Sequence, residues 1–162
     1  MQYPTLPVRI LNQFCESINV EAFVPPYLVT ASALSIDLEV DCEELEDPGY
    51  WKVQIGVEII SRNGAAINYT LSGTWAAIAH LSIEPSEDLS KEDLERYLAN
   101  TVGGLLFGTI RSSVSTVLLN FGHANIFLPP IESSVFVKKL EERRQATNSV
   151  MDSVNEADEN IN

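Results

Sequence analysis

The chain is short of positive charge. Ten Lys and Arg face 23 Asp and Glu, leaving a net charge of −13 over 162 residues. So acidic a body repels nucleic acid and anionic membrane surfaces, and neither is expected as a partner. Cysteine is scarce as well. Cys15 and Cys42 lie far apart with no Cys-x-x-Cys pair, which fits reduced thiols rather than a disulfide framework. The two histidines, His80 and His123, are distant in sequence, and ordinary structural use is expected of each. No apolar run reaches the ~18 residues that span a bilayer, so membrane insertion is not expected. Residues 1–10 carry only Arg9 as a charge and include Pro4 and Pro7. They lack the basic start and apolar stretch of a secretory signal, and a cytoplasmic location is expected.

Catalytic patterns are missing too. Gly103-Gly104 has no strand leading into it and no Lys-Ser/Thr after it, unlike a phosphate loop. No nucleophile, base and orienting group can be assembled, and no metal site or cofactor is expected. Asn68-Tyr69-Thr70 fits the glycosylation triplet, but without a secretory signal the match is chance. Asp37, Glu39 and Asp41 alternate along one segment and read as a solvated strand face.

What is present is a foldable composition, 45% hydrophobic and 20% charged. It predicts a single domain over residues 1–147. Residues 148–162 are polar and acidic, with scattered apolar positions, and read as a disordered tail. Charge is uneven within the domain. Residues 31–60 hold eight acids and one base, whereas residues 101–131 hold one charge, Arg111.

Four segments alternate with period two. In the first, Val8–Ala22, the apolar set is Val8, Ile10, Phe14, Ile18 and Val20, and its length implies a bend or bulge. The second places Leu34, Ile36, Leu38, Val40 and Cys42 on one face. The third does the same with Trp51, Val53, Ile55, Val57 and Ile59, and the fourth with Ile67, Tyr69, Leu71, Gly73, Trp75 and Ala77. Asn63-Gly64 predicts a tight hairpin, Asp47-Pro48-Gly49 a turn, and Pro25-Pro26 an extended crossover between the first two strands. Helices follow. Ser90 caps a helix of about 30 residues, with Gly103-Gly104 a candidate kink. A second helix is expected over 134–145. The fold class is α+β: a four-stranded antiparallel sheet with a long helix and a short C-terminal helix packed on one face.

The apolar surplus of the long helix, together with its small residues Thr109, Ser112, Ser113 and Thr116, predicts self-association.

The order of elements resembles the bacterial protein-export chaperone SecB over about residues 7–145. That family carries a Leu-Phe-Pro-Tyr-Ala-Arg run, and Leu106-Phe107-Gly108-Thr109-Ile110-Arg111 keeps its Leu, Phe and Arg. Phe121-Gly122, Ile126-Phe127-Leu128 and Pro130-Ile131-Glu132-Ser133-Ser134 stand at the spacing of its Phe-Pro, apolar stretch and Pro-Val-Asn-Phe-Asp. Ser72-Gly73-Thr74-Trp75 resembles its Gly-Gly-Ile-Phe-like run.

The resemblance implies a homotetramer, a dimer of dimers, without cofactor or ATPase activity, that holds unfolded preproteins for export. It implies a client groove, for which Phe23, Pro25, Pro26, Tyr27, Tyr69 and Trp75 are the candidates. It also implies an acidic outer sheet face that docks the SecA ATPase. Here Glu21 keeps one docking acid, a second falls on Ser17 and a third on Asn68, with Glu16 expected on the opposite face. Weak or absent SecA docking is the expectation. The alternatives are a dedicated chaperone for one client, such as an antitoxin, and a non-chaperone ligand-binding α+β domain.

Overall fold

The computed structural model describes residues 6–29, 33–82, 89–123 and 128–159. Four strands, β1 (Val8–Ala22), β2 (Ala33–Glu44), β3 (Tyr50–Asn63) and β4 (Ala66–Leu81), precede two helices, α1 (Lys91–Asn120) and α2 (Ser133–Glu159). The strands form one antiparallel sheet in the order β1-β4-β3-β2. The chain crosses from β1 to the far edge and returns through two hairpins. Gly64, at φ +61°, supplies the left-handed residue of the β3–β4 turn.

One sheet face is covered. Val40, Val53, Ile55, Ile59, Leu71 and Ala77 are fully buried beneath Leu98, Val102, Leu106, Ile110, Val114 and Leu118 of α1. Ser90 accepts from the Asp93 amide, which satisfies one of the free donors at the start of α1. By length and composition alone α1 qualifies as a membrane-crossing helix, which the apolar-run reading missed. In the fold, twelve of its residues are buried.

The structure corrects several expectations. β1 carries the irregularity its length implied, as two register shifts, between Ile10 and Asn12 and between Cys15 and Ser17, and these change which residues share a face. Each bulge inserts one residue and inverts the alternation. Phe14 therefore pairs with Ala76 on the outer face, while Ile18 and Val20 return to the inner one. The alternation rule alone had put all three together. α1 runs on through Gly103-Gly104. Gly103 serves a close approach instead: a Cβ there would lie 3.2 Å from the Phe136 ring of α2. α2 continues past residue 145 to Glu159, into the stretch expected to be a loose tail. No Pro or Gly interrupts it, and the Thr147 and Ser149 hydroxyls donate to the carbonyls of Arg143 and Gln145 one turn back.

α2 packs through the buried Phe136 and Leu140, and partly exposed ion pairs add to its edges. Lys139 Nζ lies 2.9 Å from Asp37, Arg143 3.0 Å from Asp41, and Arg96 of α1 3.0 Å from Glu141. Two of the three acids read as a solvated row are thus bound by α2. The Lys139 hydrogen bond holds the Asp37 carboxyl below its usual value.

Gly73 has no room for a side chain. A Cβ there would stand 2.6 Å from the Trp75 ring and 2.9 Å from the Ser17 carbonyl oxygen. The backbone oxygen cannot swing aside, so Gly73→Ala should lose about 1–3 kcal/mol of stability through overpacking. Urea unfolding checks this, with the midpoint lowered and the slope unchanged.

Candidate functional site

The crossover after β1 forms a strap over the C-terminal end of α1. Phe23 and Val24 both donate their amides to the Asn68 carbonyl, at 2.8 and 3.2 Å, which pins the strap to β4. Pro25 and Pro26 fix φ and lead into a single 3-10 turn, Pro26–Leu28, closed by Leu28 N–H to the Pro25 carbonyl at 2.9 Å. Pro26 rests on Gly122, where an added Cβ would lie 3.4 Å from the proline ring.

Gly122 also ends the helix. Its φ of +81° lets its own amide reach the Leu119 carbonyl and the His123 amide reach that of Leu118, both at 2.9 Å. That turn drives His123 inward. Its ring meets Tyr69 with centroids 4.5 Å apart. Burial pushes the His123 imidazole below its ordinary pKa and the Tyr69 phenol above its own.

Around this closed centre lie large apolar side chains open to solvent. Phe23 is 59% and Leu28 57% exposed on the strap; Leu119 is 56% and Phe121 49% exposed at the helix end. Such a surface on an acidic body is suited to grip an apolar segment without precipitating the protein.

The sequence-predicted groove residues divide. Phe23 and Pro25 are exposed and Pro26 is half-buried against Gly122. Tyr27 stands in the strap's turn. Tyr69 and Trp75 are fully buried, a correction to their placement in an open groove. Both point to the inner face of β4, where Trp75 fills the space left by Gly73 and Tyr69 is capped by His123. Trp75 Nε1 and His123 Nε2 are buried without a hydrogen-bond partner. Leu28, Leu119 and Phe121 were missed as site residues. A glycine just past a long apolar helix, followed by an aromatic-capable His, was the available signal.

The expected contact stripe on α1 is largely open. Thr109, Ser112 and Thr116 are exposed, in line with Gly104, Leu105 and Gly108. Ser113 is turned partly inward, off that line. The Thr109 hydroxyl bonds the Gln13 side chain, so the stripe runs beside β1, an edge strand of the sheet.

On the outer face, Glu21 is exposed opposite Thr70. Glu16 is also there, against expectation. It is the extra residue of the second bulge, and its carboxylate meets Lys52 at 2.7 Å and accepts from the Gln54 amide. Lys52 holds its pKa down. Asn68, the third position at which the resemblance implied a docking acid, is buried and donates to the Ser61 hydroxyl at 3.3 Å. Glu39 and Glu58 rim a shallow pit of about 240 Å³ floored by Gly56, Ser72 and Thr74.

A larger cavity of about 620 Å³ lies between α1, α2 and β2. Its cations are already paired: Arg143 with Asp41, Arg144 with Glu95, Lys91 with Glu44. Burial pushes the Cys42 thiol at its wall up to about 12, which makes it a poor nucleophile. Among the described residues no three His, Cys, Asp or Glu side chains are grouped to hold a metal ion.

No family model and no curated protein matches the sequence. Among solved structures, the chain resembles the Mycobacterium tuberculosis SecB-like chaperone Rv1957 in complex with a ChAD peptide from the HigA1 antitoxin. The TM-score is 0.66 at 19% identity, covering 77% of this chain and 91% of that one. A protein of unknown function from Streptococcus agalactiae aligns with a TM-score of 0.39 at 11% identity, over 78% of this chain and 99% of that one. The first match establishes a SecB-like fold at long sequence distance; the second is too weak to bear on it.

Proposed function

We propose that the chain is an ATP-independent chaperone, not an enzyme, that holds extended, unfolded polypeptide against the strap and the end of α1. The observation that carries this reading is the exposure of Phe23, Leu28, Leu119 and Phe121 about one point on a SecB-like fold. Each such side chain offers apolar area to a client, and several weak contacts on one chain add up to firm holding. The high negative charge keeps the loaded complex soluble.

The working form in this reading is a cytoplasmic homotetramer, a dimer of dimers joined through the open stripe of α1, without a cofactor. Client breadth is the finer question. A single dedicated client of the antitoxin type is favoured over general export by two observations. The structurally similar Rv1957 was solved with an antitoxin peptide. The outer face here keeps only one of the three acids that the SecB resemblance implies for a basic docking tail, Glu21: Ser17 and Asn68 stand at the other two positions, and Glu16 is occupied by Lys52. Losing two charge-assisted hydrogen bonds at about 1.5–3 kcal/mol each weakens such a complex at least about tenfold.

Calorimetry with the basic, zinc-bearing tail peptide of SecA is therefore expected to show weak or no binding. Submicromolar affinity lost in Glu21→Ala would contradict it. Delay of client aggregation without nucleotide tests the holding function itself.

A further inference from the structure

β4 and the turn after α1 close on a single imidazole, one residue from the glycine on which the strap rests. His123 is 3% exposed, and its Nε2 is buried with no hydrogen-bond partner. A buried, unpaired polar atom destabilises the closed arrangement, so this junction is held together by the groups around it. β4 contributes the Tyr69 ring. The strap contributes Pro26, seated on the neighbouring Gly122. α1 contributes three carbonyls of its last turn, each taken: Val117 by the Phe121 amide, Leu118 by His123, Leu119 by Gly122. Among the described residues the Tyr69 phenol is the titratable group shown against the imidazole, and no charged side chain perturbs the imidazole's titration.

This site tolerates a neutral imidazole and not a charged one. Protonation would place a positive charge and a second N–H donor in a buried site where, among the described residues, no carboxylate offsets it. Water is the available solvent for that charge, and reaching it means leaving the turn that seats Gly122 under Pro26.

We propose that His123 is an acid-released bolt, whose protonation frees the strap from the end of α1 and uncovers Tyr69. That this opening enlarges a client site rests on the chaperone reading above. The sign follows from linkage. The closed imidazole is harder to protonate than the open one, whose pKa is about 6.5. Closure is complete above that pH and is lost as pH falls through it. Between pH 7.5 and 5.5 the open-to-closed ratio rises by up to about tenfold.

Amide hydrogen exchange on the full chain, corrected for intrinsic rates, tests this directly. Protection of residues 23–29 and 117–123 should fall up to about tenfold from pH 7.5 to 5.5 relative to β3. His123→Gln should abolish that fall, and His80→Gln should leave it intact. Unchanged protection in the unmodified chain, or an equal fall in His123→Gln, overturns the bolt. Should His123→Gln fold poorly, the imidazole resonances of the unmodified chain decide. His123 is expected to titrate below the ordinary imidazole range and in step with strap exposure; titration with the strap still protected overturns the bolt. Client affinity measured at both pH values separates the two readings. Opening without any gain in capture supports the bolt and counts against the client site.

Discussion

Replacing both Phe23 and Phe121 by serine is expected to weaken capture of an unfolded client by about 50-fold. Full burial of a Phe side chain is worth roughly 1.5–3 kcal/mol. These two are already about half covered in the free protein, 59% and 49% exposed, so a client gains about half of that from each. The pair then contributes about 1.5–3 kcal/mol, or a factor of roughly ten to a hundred and fifty, with about 50-fold in the middle of that range. Stability should hardly change, because neither ring belongs to the buried core and surface substitutions stay within about 0.5 kcal/mol. Fluorescence titration with a labelled unfolded client, alongside thermal unfolding, checks both halves. A loss of binding that tracks a loss of fold would not count as agreement.

The second large effect concerns assembly. Ser112→Glu should split the proposed tetramer into smaller species at micromolar concentration. Ser112 is exposed midway along the stripe formed by Gly104, Gly108 and Thr116. Its hydroxyl donates to the Gly108 carbonyl at 3.3 Å, so it needs no partner from outside its own helix. A carboxylate there costs the monomer little. At a contact between copies it would be an unpaired buried charge costing several kcal/mol, enough to shift association by 100-fold or more. Ser113, turned partly inward, is the poorer probe. Light scattering on both proteins decides: a tetramer that survives the substitution, or an unmodified chain that is already a monomer, contradicts the proposed contact.

The strands were legible wherever one rule governed them. In β2 and β3 alternation runs unbroken, and Leu38, Val40, Val53 and Ile55 are buried as the pattern predicts. Asn63-Gly64 marked its hairpin because a tight turn needs positive φ. β1 was legible as a strand but not in phase. A bulge has no residue signature of its own, so Phe14 and Glu16 were placed on the wrong faces. Long-range pairing was likewise hidden. Nothing local to Asp37 or Asp41 announces Lys139 and Arg143, which approach only when α2 docks.

The candidate site was half visible. Phe23 and the two prolines stood out because a turn is an unusual place for so much apolar surface. Tyr69 and Trp75 looked like groove aromatics by residue type, yet Gly73 and His123 close over them in the fold. His123 itself carried no pattern. Its role comes from Gly122 reversing the chain at one point in space, which spacing along the sequence does not reveal.

The central claim is that this chain holds unfolded polypeptide without nucleotide. Turbidity of a chemically unfolded client diluted into buffer, with and without a molar excess of the chain, tests it most directly. The account predicts a delay in aggregation that needs no ATP and is largely lost in the Phe23→Ser, Phe121→Ser variant. Aggregation at the same rate with and without the chain, across a panel of unfolded clients that includes antitoxins, would contradict it.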